Sequence, residues 1–290
     1  MKAAPFSYVR PASVQEALEV LEEHAGAARV LAGGQSLVPM LHMRLMQLEA
    51  LVDINRLPGL DGVRAEGATT VLGALVRYAT IQSSPIVAER LPLLQRMVGY
   101  VGDMQVRNRG TLGGSLAQAD PTGEMPLACL ALDATIVAAS VGGTRQIGVD
   151  DFLEGSYMTA LEPEEMITEI RFPPAPDAYA FLERSRKHND FAVISVAVLG
   201  RRGAGGQWSD LRIALGGVND RAVLAVDAAA VLDGTTLADE AIAEAAQSAL
   251  AVIDPPTDVR GSAEYRRHLV PVYVRRALTA LRDGKENAYA

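Results

Sequence analysis

Cysteine is almost missing from this chain of 290 residues, where Cys129 stands alone. A single thiol excludes an internal disulfide, a thiolate zinc site and an iron–sulfur cluster built from this chain. Histidine is scarce as well. His24, His42, His188 and His268 lie far apart and show no His-x-x-x-His spacing, so no metal site of the chain's own is expected. Basic charge is in deficit: 27 Lys and Arg against 35 Asp and Glu give a net charge of -8, which argues against nucleic acid as a partner. No apolar run reaches the roughly 18 to 20 residues of a membrane helix. The start, Met1-Lys2-Ala3-Ala4-Pro5-Phe6, lacks the apolar centre of a signal peptide, so a cytoplasmic location is expected. No Gly-x-Gly-x-x-Gly occurs, which excludes the Rossmann fingerprint.

What is present is globular. Hydrophobic residues make up 49% of the chain, and this length supports two or three modest domains. Two glycine pairs stand out. One is Ala32-Gly33-Gly34-Gln35-Ser36. The other is Thr111-Leu112-Gly113-Gly114-Ser115, close behind Arg107-Asn108-Arg109. Paired glycines let a backbone bend tightly and approach a ligand closely. Free N–H groups at a helix start favour phosphate, and the serine and threonine hydroxyls add donors. Two such loops point to one phosphate-bearing cofactor, a dinucleotide, held from two sides. Either loop alone reads equally well as an ordinary tight turn. A third pair, Gly216-Gly217, precedes Asn219-Asp220 and reads as a turn.

The periodicity supports an α+β chain. Ser13-Val14-Gln15-Glu16 is a capping-box pattern that opens a helix through Glu23. A short strand over 29–32, a helix over 37–48 capped by Ser36, and a strand over 51–54 make a strand–helix–strand unit, with the first loop at its turn. Strands at 70–75, 134–139 and 166–172 accompany helices from Tyr78 and over 91–101. Pro173-Pro174-Ala175-Pro176 marks a boundary. Beyond it, strands over 178–184, 192–200 and 208–216 precede helices over 223–232, 239–252 and 262–282. The domains predicted are 1–176, divided into 1–56 and 57–176, and 177–290.

The stretches Ala-Gly-Gly-Gln-Ser-Leu-Val-Pro from Ala32, and Gln105-Val-Arg-Asn-Arg-Gly-Thr-Leu-Gly-Gly-Ser-Leu-Ala-Gln-Ala-Asp-Pro121, resemble the two FAD loops of molybdenum hydroxylase flavoproteins. These are the medium subunits of the carbon monoxide dehydrogenase and xanthine dehydrogenase family. The resemblance extends to the ending Asp258-Val-Arg-Gly-Ser-Ala-Glu-Tyr-Arg-Arg-His268. It implies a two-subdomain FAD-binding fold of the vanillyl-alcohol oxidase type, then a C-terminal domain of a small antiparallel sheet with helices. By position it places the pyrophosphate between Ala32, Gly33, Gly34, Gln35 and Ser36 on one side and Thr111, Leu112, Gly113, Gly114 and Ser115 on the other. Glu124 takes the place of an acidic residue that binds polar FAD groups. Leu161 takes that of a loop residue facing the flavin ring, and Lys187 and Phe191 those of a basic and an aromatic residue near the isoalloxazine. Gln35 stands where some relatives carry His, which weakens the case for carbon monoxide as substrate.

The implied role is a FAD-carrying electron-transfer subunit, an oxidoreductase component with no catalytic acid, base or nucleophile of its own. Molybdopterin would sit on a large partner subunit and two [2Fe-2S] clusters on a small one, in a dimer of heterotrimers that serves an external electron acceptor. The lone cysteine agrees with clusters held elsewhere. Read from the residues alone, other roles stay open. Glu124 also suits a helix start, Leu161 and Phe191 suit packing, and Arg184, Arg186, Lys187 and His188 suit a solvated strand end. The alternative enzyme is a stand-alone FAD-dependent oxidase or reductase using His188 or Tyr157. The non-enzymatic alternative is a nucleotide-binding module.

Overall fold

Ser13 opens the first helix as its spacing predicts. Its backbone is extended and its Oγ accepts the Glu16 N–H at 3.1 Å, satisfying one orphan donor of the helix start. The Glu16 carboxylate answers one residue early, accepting the Ala12 N–H at 2.7 Å. The computed structural model describes residues 2–187 and 189–285. It begins with β1 (Ser7–Val9), this helix α1 (Val14–Glu23), β2 (Ala28–Leu31), α2 (Leu37–His42) and β3 (Ala50–Asp53). The strands form a parallel sheet in the order β1-β3-β2. Ala17, Leu18 and Leu21 of α1 bury against Ala28, Ala50 and Val52. The unit β2–α2–β3 is the one expected, but α2 stops well short of residue 48. Arg44 turns left-handed (φ +58°), and the Leu45 N–H reaches back to the Met40 carbonyl at 3.0 Å. That six-to-one bond ends a helix. Ser36 makes no side-chain cap.

The chain continues through β4 (Val63–Glu66), β5 (Thr69–Gly73), α3 (Tyr78–Ser83), α4 (Pro85–Arg90), α5 (Pro92–Val98), α6 (Met104–Arg109), α7 (Leu112–Gln118) and α8 (Glu124–Ala131). Next come β6 (Thr135–Ser140), β7 (Gly143–Gly148), α9 (Val149–Phe152), β8 (Leu153–Gly155), β9 (Met158–Thr159) and β10 (Met166–Phe172). An antiparallel sheet runs β4-β5-β10-β6-β7, and β8 pairs with β9 alone. The helix predicted over 91–101 is α5, which stops at Val98, and a separate short helix, α4, precedes it; each has proline in its first turn, where the missing N–H costs nothing. The second glycine pair lies inside a helix, α7, and not in a loop. Every residue of α8 from Met125 to Ala131 is buried, the mark of a helix packed on all sides.

The last part holds β11 (Ala178–Ser185), β12 (Ala192–Arg202), β13 (Trp208–Gly216), β14 (Val223–Leu224), α10 (Val226–Ala230), α11 (Asp239–Ser248), a 3₁₀ turn over Ala249–Val252, and α12 (Ala263–Asp283). The strands pair antiparallel in that order. The segment read as a helix over 223–232 starts as β14 and is helical only in α10. One face of this sheet, with Phe181, Ala197 and Ala214, joins the core that contains α8. The other, with Leu182, Val196 and Ile213, packs on α10, α11 and α12. Helix α8 thus touches α5 and α7 on one side and β12 and β13 on the other. Among the described residues no helix is long and apolar enough to cross a membrane.

Candidate functional site

The first glycine pair meets the backbone just ahead of the second. A Cβ built on Gly33 would fall 2.4 Å from the Arg109 carbonyl oxygen and 2.9 Å from Gly110 Cα, so the loops touch backbone to backbone and only glycine fits. Gly34 is left-handed (φ +71°), a conformation glycine adopts without strain. On the facing side, a Cβ on Gly113 would strike Ala74 at 2.7 Å, which lets α7 settle onto the segment after β5.

The loops differ in what they still offer. Among the described residues, the amides of Gly33, Gly34, Gln35 and Ser36 donate to no backbone carbonyl. In the second segment the amides are engaged by the chain itself. Leu112 N–H donates to the Val76 carbonyl at 3.1 Å, Gly113 N–H to Ala74 at 3.0 Å and Ser115 N–H to Thr111 at 3.0 Å. Gly114 N–H donates to Thr111 Oγ1 at 3.1 Å, because Thr111 is the N-cap of α7. The N–H lining expected from both loops therefore comes from the first. The second supplies a close, Cβ-free wall and the Ser115 hydroxyl, which lies against Tyr78. Unpartnered amides beside such a wall suit an anion such as pyrophosphate.

Residues missed in the sequence hold the loops in place. Asn55 Nδ2 donates to the Ala32 carbonyl at 2.8 Å and to Asp53 Oδ1 at 2.7 Å. Arg77 then bridges the two loops, donating to Asn55 Oδ1 and to the Arg109 carbonyl. Asp53 also accepts from the Tyr8 hydroxyl. Burial opposes ionisation of Asp53, but the Tyr8 hydroxyl, Asn55 and Arg10 outweigh it and hold the carboxyl below its ordinary range. An isolated Asn or Arg carries no motif, so only the fold reveals this strut. Arg107 turns away from the loops to the Val101 and Gly102 carbonyls, the latter at 2.7 Å.

Glu124 is the first residue of α8, after Gly123. Burial, opposed by its own amide and reinforced by the charge of Asp120, pushes its carboxyl up to about 7. Asp120 Oδ1 accepts from the Thr122 N–H at 2.9 Å and from its hydroxyl at 2.7 Å, a local turn. Leu161 packs half-buried at the rim of the main core. Phe191 is 51% exposed, with the Arg260 guanidinium 4.6 Å above its ring. It lines a cavity of about 120 Å³ with Asp120, Tyr157, Asn219, Arg260 and Arg266. Lys187 stands exposed just past β11, and no contact ties it to the loops among the described residues. His188 lies outside the described residues. Gly217 is left-handed (φ +75°), the turn expected of the third glycine pair. Its carbonyl accepts from the buried Arg266 at 2.7 Å, as does that of Val193, and Arg266 also binds Asp258 at 2.8 Å. No cluster able to hold a metal ion occurs among the described residues.

The chain is similar to known proteins along nearly its whole length. The family described as the FAD binding domain in molybdopterin dehydrogenase matches residues 4–175, and the CO dehydrogenase flavoprotein C-terminal domain matches residues 179–281. The chain is 39% identical over 280 residues to the 6-hydroxypseudooxynicotine dehydrogenase complex subunit alpha of Paenarthrobacter nicotinovorans, covering 96% of this chain and 95% of that one. It is 40% identical over 277 residues to the carbon monoxide dehydrogenase medium chain of Hydrogenophaga pseudoflava, covering 95% and 96%. The structure superposes with a TM-score of 0.94, at 41% identity, on a chain of the carbon monoxide dehydrogenase from Hydrogenophaga pseudoflava that lacks the Mo-pyranopterin moiety of its cofactor. That match covers 97% of this chain and 98% of the other.

Proposed function

This chain belongs to the FAD-binding flavoprotein subunits of the molybdopterin dehydrogenase family, and from that premise we propose that it takes electrons from [2Fe-2S] clusters on a partner subunit and passes them to an external acceptor. The observation that carries the site assignment is the backbone contact of Gly33 with Arg109 and Gly110 beside a run of amides with no carbonyl partner. The first loop, Ala32 to Ser36, donates N–H groups to the pyrophosphate. Thr111 to Ser115 forms the wall behind it. Bound FAD supplies the redox chemistry, and the protein supplies binding and electrostatics.

Residues 1–176 hold the cofactor and residues 177–290 close over it. Glu124 meets polar groups of the cofactor, and Leu161, Lys187 and Phe191 flank the ring system. Relatives named as a medium chain and as a complex subunit support a large molybdopterin partner and a small iron–sulfur partner, assembled as a dimer of heterotrimers in the cytoplasm. Substrate hydroxylation then takes place on the large partner. Copurification tests the role. The account expects two further chains, molybdenum and iron beside FAD, and reduction of this chain by substrate only in their presence. Turnover by the chain alone would replace it with a stand-alone flavoenzyme.

A further inference from the structure

A cavity of about 120 Å³ opens where the two parts of the chain meet. Asp120 and Tyr157 line it from the FAD-binding part, and Phe191, Asp258, Arg260 and Arg266 from the C-terminal part. The junction is pinned beside it. The Gly217 N–H donates to the Pro121 carbonyl at 2.9 Å, and the Ser156 hydroxyl donates to the Asp220 carbonyl at 3.0 Å. Tyr157 takes a left-handed backbone (φ +60°), with its amide on the Ala119 carbonyl at 3.0 Å. Tyr157 is 60% exposed and Phe191 51%, so two aromatic side chains stand at the cavity with much of their surface uncovered.

The walls hold donors that the chain leaves unspent. Arg266 is wholly buried, and its Nη1 and Nη2 serve Val193, Gly217 and Asp258. Its Nε is buried with no hydrogen bond, an arrangement that costs free energy until an acceptor arrives. The Arg260 guanidinium makes no hydrogen bond among the described residues. It lies 4.6 Å above the Phe191 ring, and Asp258 Oδ2 is 3.9 Å from its Nη1, beyond hydrogen-bond reach. The carboxylates, by contrast, are occupied. Asp258 Oδ1 accepts the Arg260 and Gly261 N–H groups at 2.8 and 3.1 Å as well as Arg266. Asp120 accepts from Thr122 and, at 3.4 Å, from the Tyr157 hydroxyl. Two carboxylates against two guanidiniums make the lining neutral as a whole, so an occupant with a net charge would stay unbalanced. What the cavity offers is N–H donors beside aromatic surface, which suits an uncharged ring that carries an oxygen acceptor.

We propose that this cavity binds an uncharged ring bearing carbonyl oxygen, with Arg260 and the Nε of Arg266 as its hydrogen-bond donors, and that the ring is a quinone serving as the external electron acceptor. The acceptor role rests on the functional reading above, in which Phe191 flanks the flavin; Phe191 is also a wall of the cavity, so an occupant lies beside the ring system. The room is sufficient for one ring, since an apolar cavity of about 150 Å³ encloses benzene and this one is open to solvent on the side where substituents would leave. The step balances. Two electrons and two protons pass from the reduced flavin to the quinone, which leaves as the hydroquinone while the flavin is oxidised. Negative charge grows on the quinone oxygen as electrons arrive, and guanidinium donors hold that charge better than they hold the neutral carbonyl.

The test uses the full chain, first without FAD. Equilibrium dialysis against toluquinone, a single-ring quinone, measures binding, with benzoate as the charged competitor. The wild-type chain binds toluquinone at a saturable site and benzoate does not displace it. Arg260→Met loses a charged donor and binds roughly tenfold or more weakly, while Arg260→Lys keeps part of the affinity. Thermal unfolding checks that the variants are folded, and Tyr157→Ala, at an exposed position, gives a second reading by removing an aromatic wall and weakening binding. Absence of saturable binding, wild-type affinity in folded Arg260→Met and Tyr157→Ala, or displacement by benzoate overturns the site. The acceptor role is then read on the FAD-loaded chain, reduced under anaerobic conditions. Flavin reoxidation saturates at the toluquinone concentration that half-fills the site in dialysis, and Arg260→Met raises that concentration by the same factor. A rate that rises linearly with toluquinone, or that ignores Arg260→Met, overturns the acceptor role. Failure of the chain to bind FAD overturns the functional reading instead, and the dialysis judges the cavity without FAD.

Discussion

Replacing Gly33 with alanine adds one methyl at the point where the two glycine segments touch. The new Cβ falls 2.4 Å from the Arg109 oxygen, roughly 1 Å inside ordinary contact. Both partners are backbone, so no rotamer change relieves the clash and the loops must separate. Overpacking of this kind costs about 1–3 kcal/mol. If the separation is borne by the cofactor cleft, the loss is roughly 5- to 100-fold in FAD affinity, since about 1.4 kcal/mol is tenfold. Titration of the apo chain with FAD measures this directly, and thermal unfolding without FAD measures how much of the cost falls on the fold. Gly62→Ala is the control, because a Cβ there meets nothing within 4 Å, and its affinity stays at the wild-type value. Wild-type affinity in Gly33→Ala, with the chain folded, would refute the claim that contact between the loops shapes the site.

Other outcomes follow from the same geometry. Arg77→Met removes the strut between Asn55 and the Arg109 carbonyl. Hydrogen bonds to a charged group are worth about 1.5–3 kcal/mol, so FAD affinity drops roughly tenfold or more in the same titration while Arg77→Lys retains part of it. Thr111→Val leaves the Gly114 N–H without its cap and lowers stability by about 1 kcal/mol, read by denaturant unfolding. Arg266→Met strands two buried carbonyls and Asp258, and costs about 3–5 kcal/mol in the same assay. Asp258 is raised by burial, but the Arg260 and Gly261 amides and Arg266 outweigh this and hold it below its ordinary value. Its contribution is present above the unfolded value and is lost as pH falls through the folded one, so the variant shows less acid destabilisation than the wild-type chain. Cys129 is buried, and burial pushes its thiol up. It therefore stays unmodified by thiol reagents in the native chain and reacts only on unfolding.

The parts of the fold legible in the sequence are those where burial and spacing agree. The Ser13 cap, the β2–α2–β3 unit and the buried runs of β12 and β13 each carry a local signal. β4 and β7 were not legible because neither has a buried face: β4 is at most half-buried, at Val63 and Arg64, and β7 buries only Ile147 within its span. A strand with no buried face shows no alternation. The early stop of α2 depends on the left-handed turn at Arg44, which no residue type announces. The glycine pairs were legible as a pair of close approaches. Their inequality was not, because whether an amide is free depends on Val76 and Ala74, residues far from the motif. The Asn55–Arg77 strut likewise arises from distant segments brought together by the sheets.

The most direct measurement is the visible spectrum and flavin content of the full chain, purified alone and then co-expressed with its partner subunits, beside a variant carrying both Gly33→Ala and Gly114→Ala. The account predicts flavin absorbance at about one FAD per chain, its loss in the double variant, and iron–sulfur absorbance only with the partners. A colourless wild-type chain that also fails to take up added FAD would contradict it.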